Sequence, residues 1–155
     1  LVVDADGLNL LSQHPEYLKN TEAKLIVTPH PGEMARLTGL TVRKILDHLM
    51  DTAAEFAGEH DLVCVLKDAR TVISDGVRRC VNVSGNHGMA AGGSGDVLTG
   101  VICGLLAQGM DCFEAAAAGA MVHGLAGDRA KDELGARGMM ASDLADQVGN
   151  IIKQF

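Results

Sequence analysis

The stretch NHGMAAGGSGDVLTGVICGLLAQG, residues 86–109, decides how the rest of the chain is read. Gly92, Gly93 and Gly95 supply backbone angles that a Cβ would forbid and let the main chain approach a ligand closely. The apolar run that follows reads as a buried helix, so the loop ends at a helix N-terminus. There the unsatisfied amides and the positive end of the dipole make a seat for phosphate oxygens. The loop is not a Walker A motif, because no GK[ST] follows, and it misses GxGxxG because Leu98 stands where the third glycine belongs. Asp96 has two readings. It is a first-turn acid in a favourable place on the dipole, or a general base that takes the proton of a hydroxyl attacking a phosphorus held by the loop.

Working outward, KLIVT (24–28) reads as a buried strand stopped by PHPGE, since Pro29 and Pro31 both interrupt a helix. Glu33 to Leu37 is helical. In VRKILDHLMDTAAEFAGEH the residues Val42, Ile45, Leu46, Leu49, Ala53 and Phe56 recur at threes and fours, predicting one amphipathic helix closed by Gly58. DLVCVLK is a continuous apolar strand covered on both faces, with Lys67 at its carboxyl end. Asp75-Gly76 lies between two β-rich stretches as a hairpin turn, and LVVDADG opens the chain as a short strand ending in acids. Beyond the glycine helix come a long alanine-rich helix over DCFEAAAAGAMVHGLAGDRAKDEL and a last amphipathic helix with Ser142 as its N-cap. Strands alternating with helices predict an α/β layered fold, a mostly parallel sheet with helices on both faces. With no repeat, low-complexity tract or linker, residues 1–155 read as a single domain.

Composition narrows the function. A chain of 155 residues that is 47% hydrophobic and 21% charged can bury a core. A net charge of -7 argues against a nucleic-acid partner. No apolar run reaches the roughly 20 residues that span a bilayer, and the opening residues carry acid where a signal peptide has a basic start. The expected setting is cytoplasmic, with no membrane partner. Cys64, Cys80, Cys103 and Cys112 form no CxxC pair and are expected as buried free thiols. The chain starts at Leu1 without Met, which suggests a fragment.

DADGLNLL (4–11), TPHPGEMARL (28–37), VLKDARTVI (65–73), GNHGMAAGGSGDVLTGVICGLLAQG (85–109), HGLAGD (123–128) and ASDL (141–144) stand in the order found in the ADP- or ATP-dependent NAD(P)H-hydrate dehydratases. The chain resembles that family over nearly its whole length. GGSGD alone indicates only the wider ribokinase-like superfamily, whereas its combination with TPHPGE and HG.AGD is far more specific. The resemblance implies a ribokinase-like fold and a repair enzyme for hydrated nicotinamide cofactors, NADHX and NADPHX. With ADP or ATP and Mg2+, such an enzyme phosphorylates the ring hydroxyl, and phosphate then leaves as the ring double bond returns.

Carried over residue by residue, Asp96 is the catalytic base and touches the substrate, while Gly92, Gly93, Ser94 and Gly95 hold the transferring phosphate. Lys67, Asp68, Ala69, Arg70 and Thr71 line the nucleotide, with Lys67 as a point charge for phosphate. His30 contacts the substrate, and Glu33 stands where the superfamily has an acid that influences magnesium indirectly. Without the resemblance, Lys67 reads as a solvated strand end and His30 as a loop histidine bonded to backbone. His123, among small residues, reads as a packed, hydrogen-bonded core histidine, and Asp4, Asp6 and Asn9 as turn and cap residues that border the substrate on the family reading.

Two positions depart from the family pattern: Asp68 for the glycine of LKG, and His87 for the proline of GNPG. The family's N-terminal portion, with part of its substrate pocket, is also absent. Members commonly form homo-oligomers. Two rival readings remain open. One is a ribokinase-like kinase for a vitamin precursor, using the same loop and base, and the other is an inactive truncated nucleotide-binding domain.

Overall fold

The apolar runs of the first half of the chain become neighbouring strands in the computed structural model, which describes residues 1–19 and 22–155. Two compact units result, Leu1–Val81 and Asn82–Phe155. The first unit holds a five-stranded sheet in the order β1 (Val2–Val3), β2 (Ile26–Val27), β3 (Val63–Leu66), β4 (Val72–Ser74), β5 (Arg79–Val81). Val3 pairs with Val27 and Val27 with Cys64, in parallel. β3 then pairs antiparallel with β4, and β4 with β5. The sheet is therefore mixed: three parallel strands with an antiparallel hairpin at one side. That hairpin turns at Asp75-Gly76 as the sequence predicts, with Gly76 at φ +91°.

All four residues of β3 are buried, as expected of a strand covered on both faces. Leu8, Val27, Met34, Ile45, Phe56 and Leu66 pack into one core with Cys64, whose thiol is pushed up to about 12 by burial. The other cysteines do not follow this pattern. All four are free, yet only Cys64 is buried; Cys80 and Cys112 are half-buried and Cys103 is exposed.

Helices α1 (Asp6–Gln13), α2 (Glu16–Lys19), α3 (Pro31–Thr38), α4 (Val42–Asp47) and α5 (Leu49–His60) complete this unit. Pro31 opens α3 at its first turn, where the missing N–H costs nothing. The single helix expected from Val42 onward is two. His48 leaves helical angles (φ −138°, ψ 43°) and its N–H donates to the Ile45 carbonyl. Ile45, Ala53 and Phe56 are buried, whereas Val42 and Leu46 are each 42% exposed. A three-four spacing survives such a break unaltered, so periodicity alone could not reveal it. Gly58 does not close the helix either. α5 runs on to His60 and ends at Asp61 in the left-handed region (φ 51°). Gly58 instead lies under the hairpin: a Cβ on Gly76 would stand 2.6 Å from the Gly58 Cα.

The second unit is helical. A 3-10 turn (His87–Met89) precedes α6 (Ser94–Ala107), α7 (Cys112–Leu134) and α8 (Ala141–Ile152). Asp111 caps α7 by accepting from the Phe113 and Glu114 amides. The small residues of α7 permit close packing, since a Cβ on Gly119 would come within 2.6 Å of Ile102 Cγ1. Two expectations fail here. α6 is not buried all round: only Ser94, Leu98 and Ile102 are buried, and Val97, Val101 and Leu105 line a groove of about 370 Å³ with Ala145, Val148 and Ile152 of α8. Ser142 is not the N-cap of α8. The helix starts at Ala141, two residues earlier than a Ser142 cap would allow, capped by Met140, whose N–H donates to Asp143 Oδ2 (2.6 Å). Among the described residues no helix is long and apolar enough to cross a membrane.

Candidate functional site

The parallel pairing of β1, β2 and β3 brings their carboxyl ends to one edge of the first unit, the edge where open α/β sheets gather ligands. Asp4, His30 and Lys67 follow those three ends directly or within a few residues. Lys67 Nζ donates to Asp4 Oδ1 at 2.7 Å, the two side chains being 22% and 10% exposed. Its backbone N–H donates to the Pro29 carbonyl (2.8 Å). Lys67 is thus a paired cation at a strand end rather than a solvated one. Asp68, Ala69 and Arg70 form an exposed loop between β3 and β4, and Thr71 is half-buried.

His30 is the N-cap of α3. Its Nδ1 accepts from the amides of Gly32 (2.9 Å) and Glu33 (3.3 Å). With Nδ1 accepting, the ring hydrogen sits on Nε2, which faces Glu33 Oε1 at 3.4 Å. Glu33 Oε2 accepts the His30 N–H at 2.8 Å. Both oxygens of this buried carboxylate are therefore turned onto His30 in a capping box. Asn9 Oδ1 accepts from Arg36 Nε (2.9 Å).

In the second unit the glycine loop meets the expectation in part: of Gly92, Gly93 and Gly95 only Gly93 takes a left-handed φ, Gly95 lies within the helix and a Cβ on Gly92 would meet nothing. Gly93 is the N-cap of α6 at φ +88°, and a Cβ there would also press to 3.0 Å from Ala141 Cβ. The first helical hydrogen bond runs from Val97 N–H to the Gly93 carbonyl (3.2 Å), so the amides of Gly95 and Asp96 precede the intrahelical ladder. Asp96 is exposed in the first turn, and Ser94 is 8% exposed.

Behind the loop lies α7, and the HGLAGD segment explains itself there. His123 Nε2 stands 2.9 Å from the Ser94 carbonyl oxygen and 3.3 Å from Ser94 Oγ. Asp128 accepts from the Gly85 amide with Oδ2 (2.9 Å) and from Asn86 Nδ2 with Oδ1 (3.0 Å). Asn86 Oδ1 in turn accepts from the Gly88 amide (3.0 Å). Between these two clamps Gly124 and Gly127 let the chain lie directly on the helix: a Cβ would meet Ser84 at the first and Met89 at the second. Asn86 and Asp128 were missed as site residues. The signal that could have found them is two glycines three apart in a helix, bracketed by a histidine and an acid, which nothing in helix stability calls for.

The residues singled out in the sequence therefore fall into two sets. His30, Glu33 and Lys67–Thr71 belong to the first unit, and Gly92–Asp96 to the second. Chemically, the second set offers open amides, a hydroxyl and an exposed carboxylate at a helix N-terminus, which suits an anion beside a proton acceptor. For magnesium the fit is poor as a resident ion, because among the described residues no three His, Cys, Asp or Glu side chains gather.

A sequence model described as NAD(P)H-hydrate dehydratase matches residues 1–150. The bifunctional NAD(P)H-hydrate repair enzyme of Moorella thermoacetica is 49% identical over 99% of this chain, which spans 29% of that protein. The crystal structure of the ADP/ATP-dependent NAD(P)H-hydrate dehydratase from Bacillus subtilis, co-crystallized with ATP/Mg2+, is 32% identical. It superposes with a TM-score of 0.86 over 99% of this chain and 54% of its own. A ribokinase-like superfamily protein from Enterococcus faecalis has a TM-score of 0.81 at 28% identity, with 99% of this chain and 52% of its own covered. The chain thus spans 29% to 54% of the length of these proteins. With the glycine loop, its acid and the braces from α7 all falling inside the matched residues, the chain belongs to the NAD(P)H-hydrate dehydratase family.

Proposed function

We propose that this chain is part of a ribokinase-like domain, residues 1–155 counted as one, that dehydrates hydrated NADH and NADPH at the expense of ADP or ATP. The observation that carries the reading is the start of α6. A left-handed Gly93 opens the helix, the Gly95 and Asp96 amides precede its ladder, and the Asp96 carboxylate is exposed beside them. In the second unit, the amides of Gly92, Gly93 and Gly95 and the Ser94 hydroxyl hold the transferring phosphoryl group. Asp96 accepts the proton of the substrate's ring hydroxyl as its oxygen bonds to phosphorus and the shortened nucleotide departs. Phosphate, a far better leaving group than hydroxide, then leaves while the adjacent ring carbon loses a proton to solvent, and the ring double bond returns. Such chemistry asks the protein for positioning and charge stabilisation above all.

In the first unit, Lys67–Thr71 line the nucleotide and His30 contacts the substrate. The Lys67–Asp4 pair means that the lysine reaches phosphate only by exchanging one anion for another. Magnesium enters with the nucleotide phosphates, as an ion that keeps most of its waters does. Glu33 acts indirectly, by fixing the ring of His30. A cytoplasmic setting and a homo-oligomer complete the reading, and light scattering on the purified protein checks the latter.

The test uses the full-length protein with Mg2+, ADP or ATP, and NADHX or NADPHX. Return of the reduced-nicotinamide absorbance is expected. A stable phosphoester on a vitamin-precursor alcohol, with no return of that absorbance, would instead make the protein a kinase. Nucleotide binding without turnover on any substrate would make it an inactive binding domain.

A further inference from the structure

We propose that His123 is a positioning residue for phosphoryl transfer: it holds Ser94 so that the serine hydroxyl hydrogen is left for a phosphoryl oxygen. This rests on the phosphate role of the glycine loop proposed above. A carbonyl oxygen only accepts, so the 2.9 Å contact to the Ser94 oxygen places the hydrogen on His123 Nε2. A protonated ring nitrogen cannot accept, and the same atom lies 3.3 Å from Ser94 Oγ. Toward His123 the serine oxygen is therefore the acceptor, and its own hydrogen is not spent on the imidazole. One ring edge thus fixes the carbonyl of the first helical residue, biases the hydroxyl rotor, and does so from a site that is 9% exposed.

The brace around it has the same purpose. Gly124 admits Ser84 against the helix, where a Cβ would fall 2.2 Å from Ser84 Oγ, and Asp128 ties down Gly85 and Asn86. Both ends of the loop are thereby referred to α7. A mobile Ser94 would still bind phosphate through neighbouring amides but would offer its hydroxyl in the wrong direction part of the time.

The experiment compares His123→Gln with His123→Asn in the full-length protein. The glutamine amide nitrogen reaches the position of Nε2, whereas that of asparagine stops short of it. ATP with Mg2+ is titrated calorimetrically, and turnover of the hydrated dinucleotide is followed in parallel. Glutamine should keep ATP affinity and kcat within about twofold of the parent. Asparagine should lose about tenfold in both, the effect of one hydrogen bond, with KM for the hydrated dinucleotide unchanged. Equal behaviour of the two variants overturns the proposal. Should the asparagine variant fail to fold, Ser94→Ala, which deletes one oxygen, must weaken ATP to a similar degree, and unchanged affinity there overturns it as well. If the parent binds ATP but restores no reduced nicotinamide, the dehydratase reading fails while the affinity ranking still decides the role of His123. If the parent binds no nucleotide, both fall.

Discussion

Asp128→Ala should loosen the glycine loop without touching it. The carboxylate accepts from the Gly85 amide at 2.9 Å and from Asn86 Nδ2 at 3.0 Å, and it is half-buried on α7. A hydrogen bond to a charged group contributes about 1.5–3 kcal/mol when enclosed. Partial exposure reduces that to roughly 1 kcal/mol each by solvent screening, so removing both costs about 2 kcal/mol. For a protein of this size that corresponds to a fall in Tm of about 4–8 °C. Asp128→Asn should fall less, because it keeps one acceptor while turning an NH2 group toward a donor.

Circular dichroism at 222 nm reads the melt of the helices, and hydrogen exchange at the Gly85 and Gly88 amides reads the loop itself. Exchange there should quicken in Asp128→Ala, because Asn86 loses its anchor and with it the orientation of its own cap on Gly88. Asn86→Ala and Asp128→Ala should be non-additive, as partners in one bond are. A melt within 1 °C of the parent, with exchange at Gly85 and Gly88 unaltered, would refute the idea that α7 holds the loop in place.

Asp96→Asn should leave ATP affinity nearly intact and lower kcat by at least about a hundredfold, the usual contribution of a general base; a variant that keeps most of its turnover removes Asp96 from that role. At the α5–hairpin contact two alanines should act in opposite directions. Gly58→Ala places its Cβ at an ordinary 3.6 Å from Gly76 Cα and gains helix propensity of up to about 1 kcal/mol, so the melt should rise. Gly76→Ala meets Gly58 at 2.6 Å at φ +91°, so the melt should fall; the same sign for both would discredit the packing. The hairpin also carries an acid-sensitive element. Burial alone would raise the Asp75 pKa, but the Arg78 side chain and the Arg78 and Val77 amides together hold it below the usual carboxylate range. A lowered folded value means stability that is present above the unfolded pKa of about 3.9 and is lost as pH falls through the folded one. Asp75→Asn should therefore flatten the acid limb of a stability-versus-pH curve between about pH 5 and 2, and an unchanged limb would contradict it.

The parts of this fold that could be read from residues alone are those in which one local rule acts without competition. Of the three glycines on the way into an apolar helix expected to take angles that a Cβ forbids, Gly93 does so, as the N-cap. Asp75-Gly76 between β-rich runs needed a hairpin, and β4 and β5 form it. Four consecutive apolar residues at 63–66 needed cover on both faces and have it. The errors fall where a local pattern is compatible with two outcomes. The stripe from Val42 to Phe56 is the same whether or not the helix breaks at His48, and the apolar faces of α6 look alike whether or not a partner element covers them. Ser142 has cap chemistry, yet Asp143 accepts the Met140 N–H and the helix boundary lies two residues earlier, with Met140 as N-cap. Each of these choices is made by a neighbour that is distant along the chain or by a contest between adjacent polar groups.

The site divides along the same line. The proposed anion loop Gly92–Asp96 stands out in the sequence, because a run of glycines ahead of an apolar helix is poor for anything but close approach of the main chain. What orients that loop does not, since His123, Gly124, Gly127 and Asp128 each have an ordinary use in a helix taken singly. Their meaning is joint. The two glycines bring residues 84–89 down onto α7, and only at that distance can a carboxylate reach Gly85 and Asn86 while an imidazole five residues earlier reaches Ser94. Replacing either glycine would lift the loop off both clamps together. On the proposed reading, Gly124 and Gly127 are therefore as much a part of the phosphate seat as Gly92, Gly93 and Gly95, although they lie behind the loop on α7.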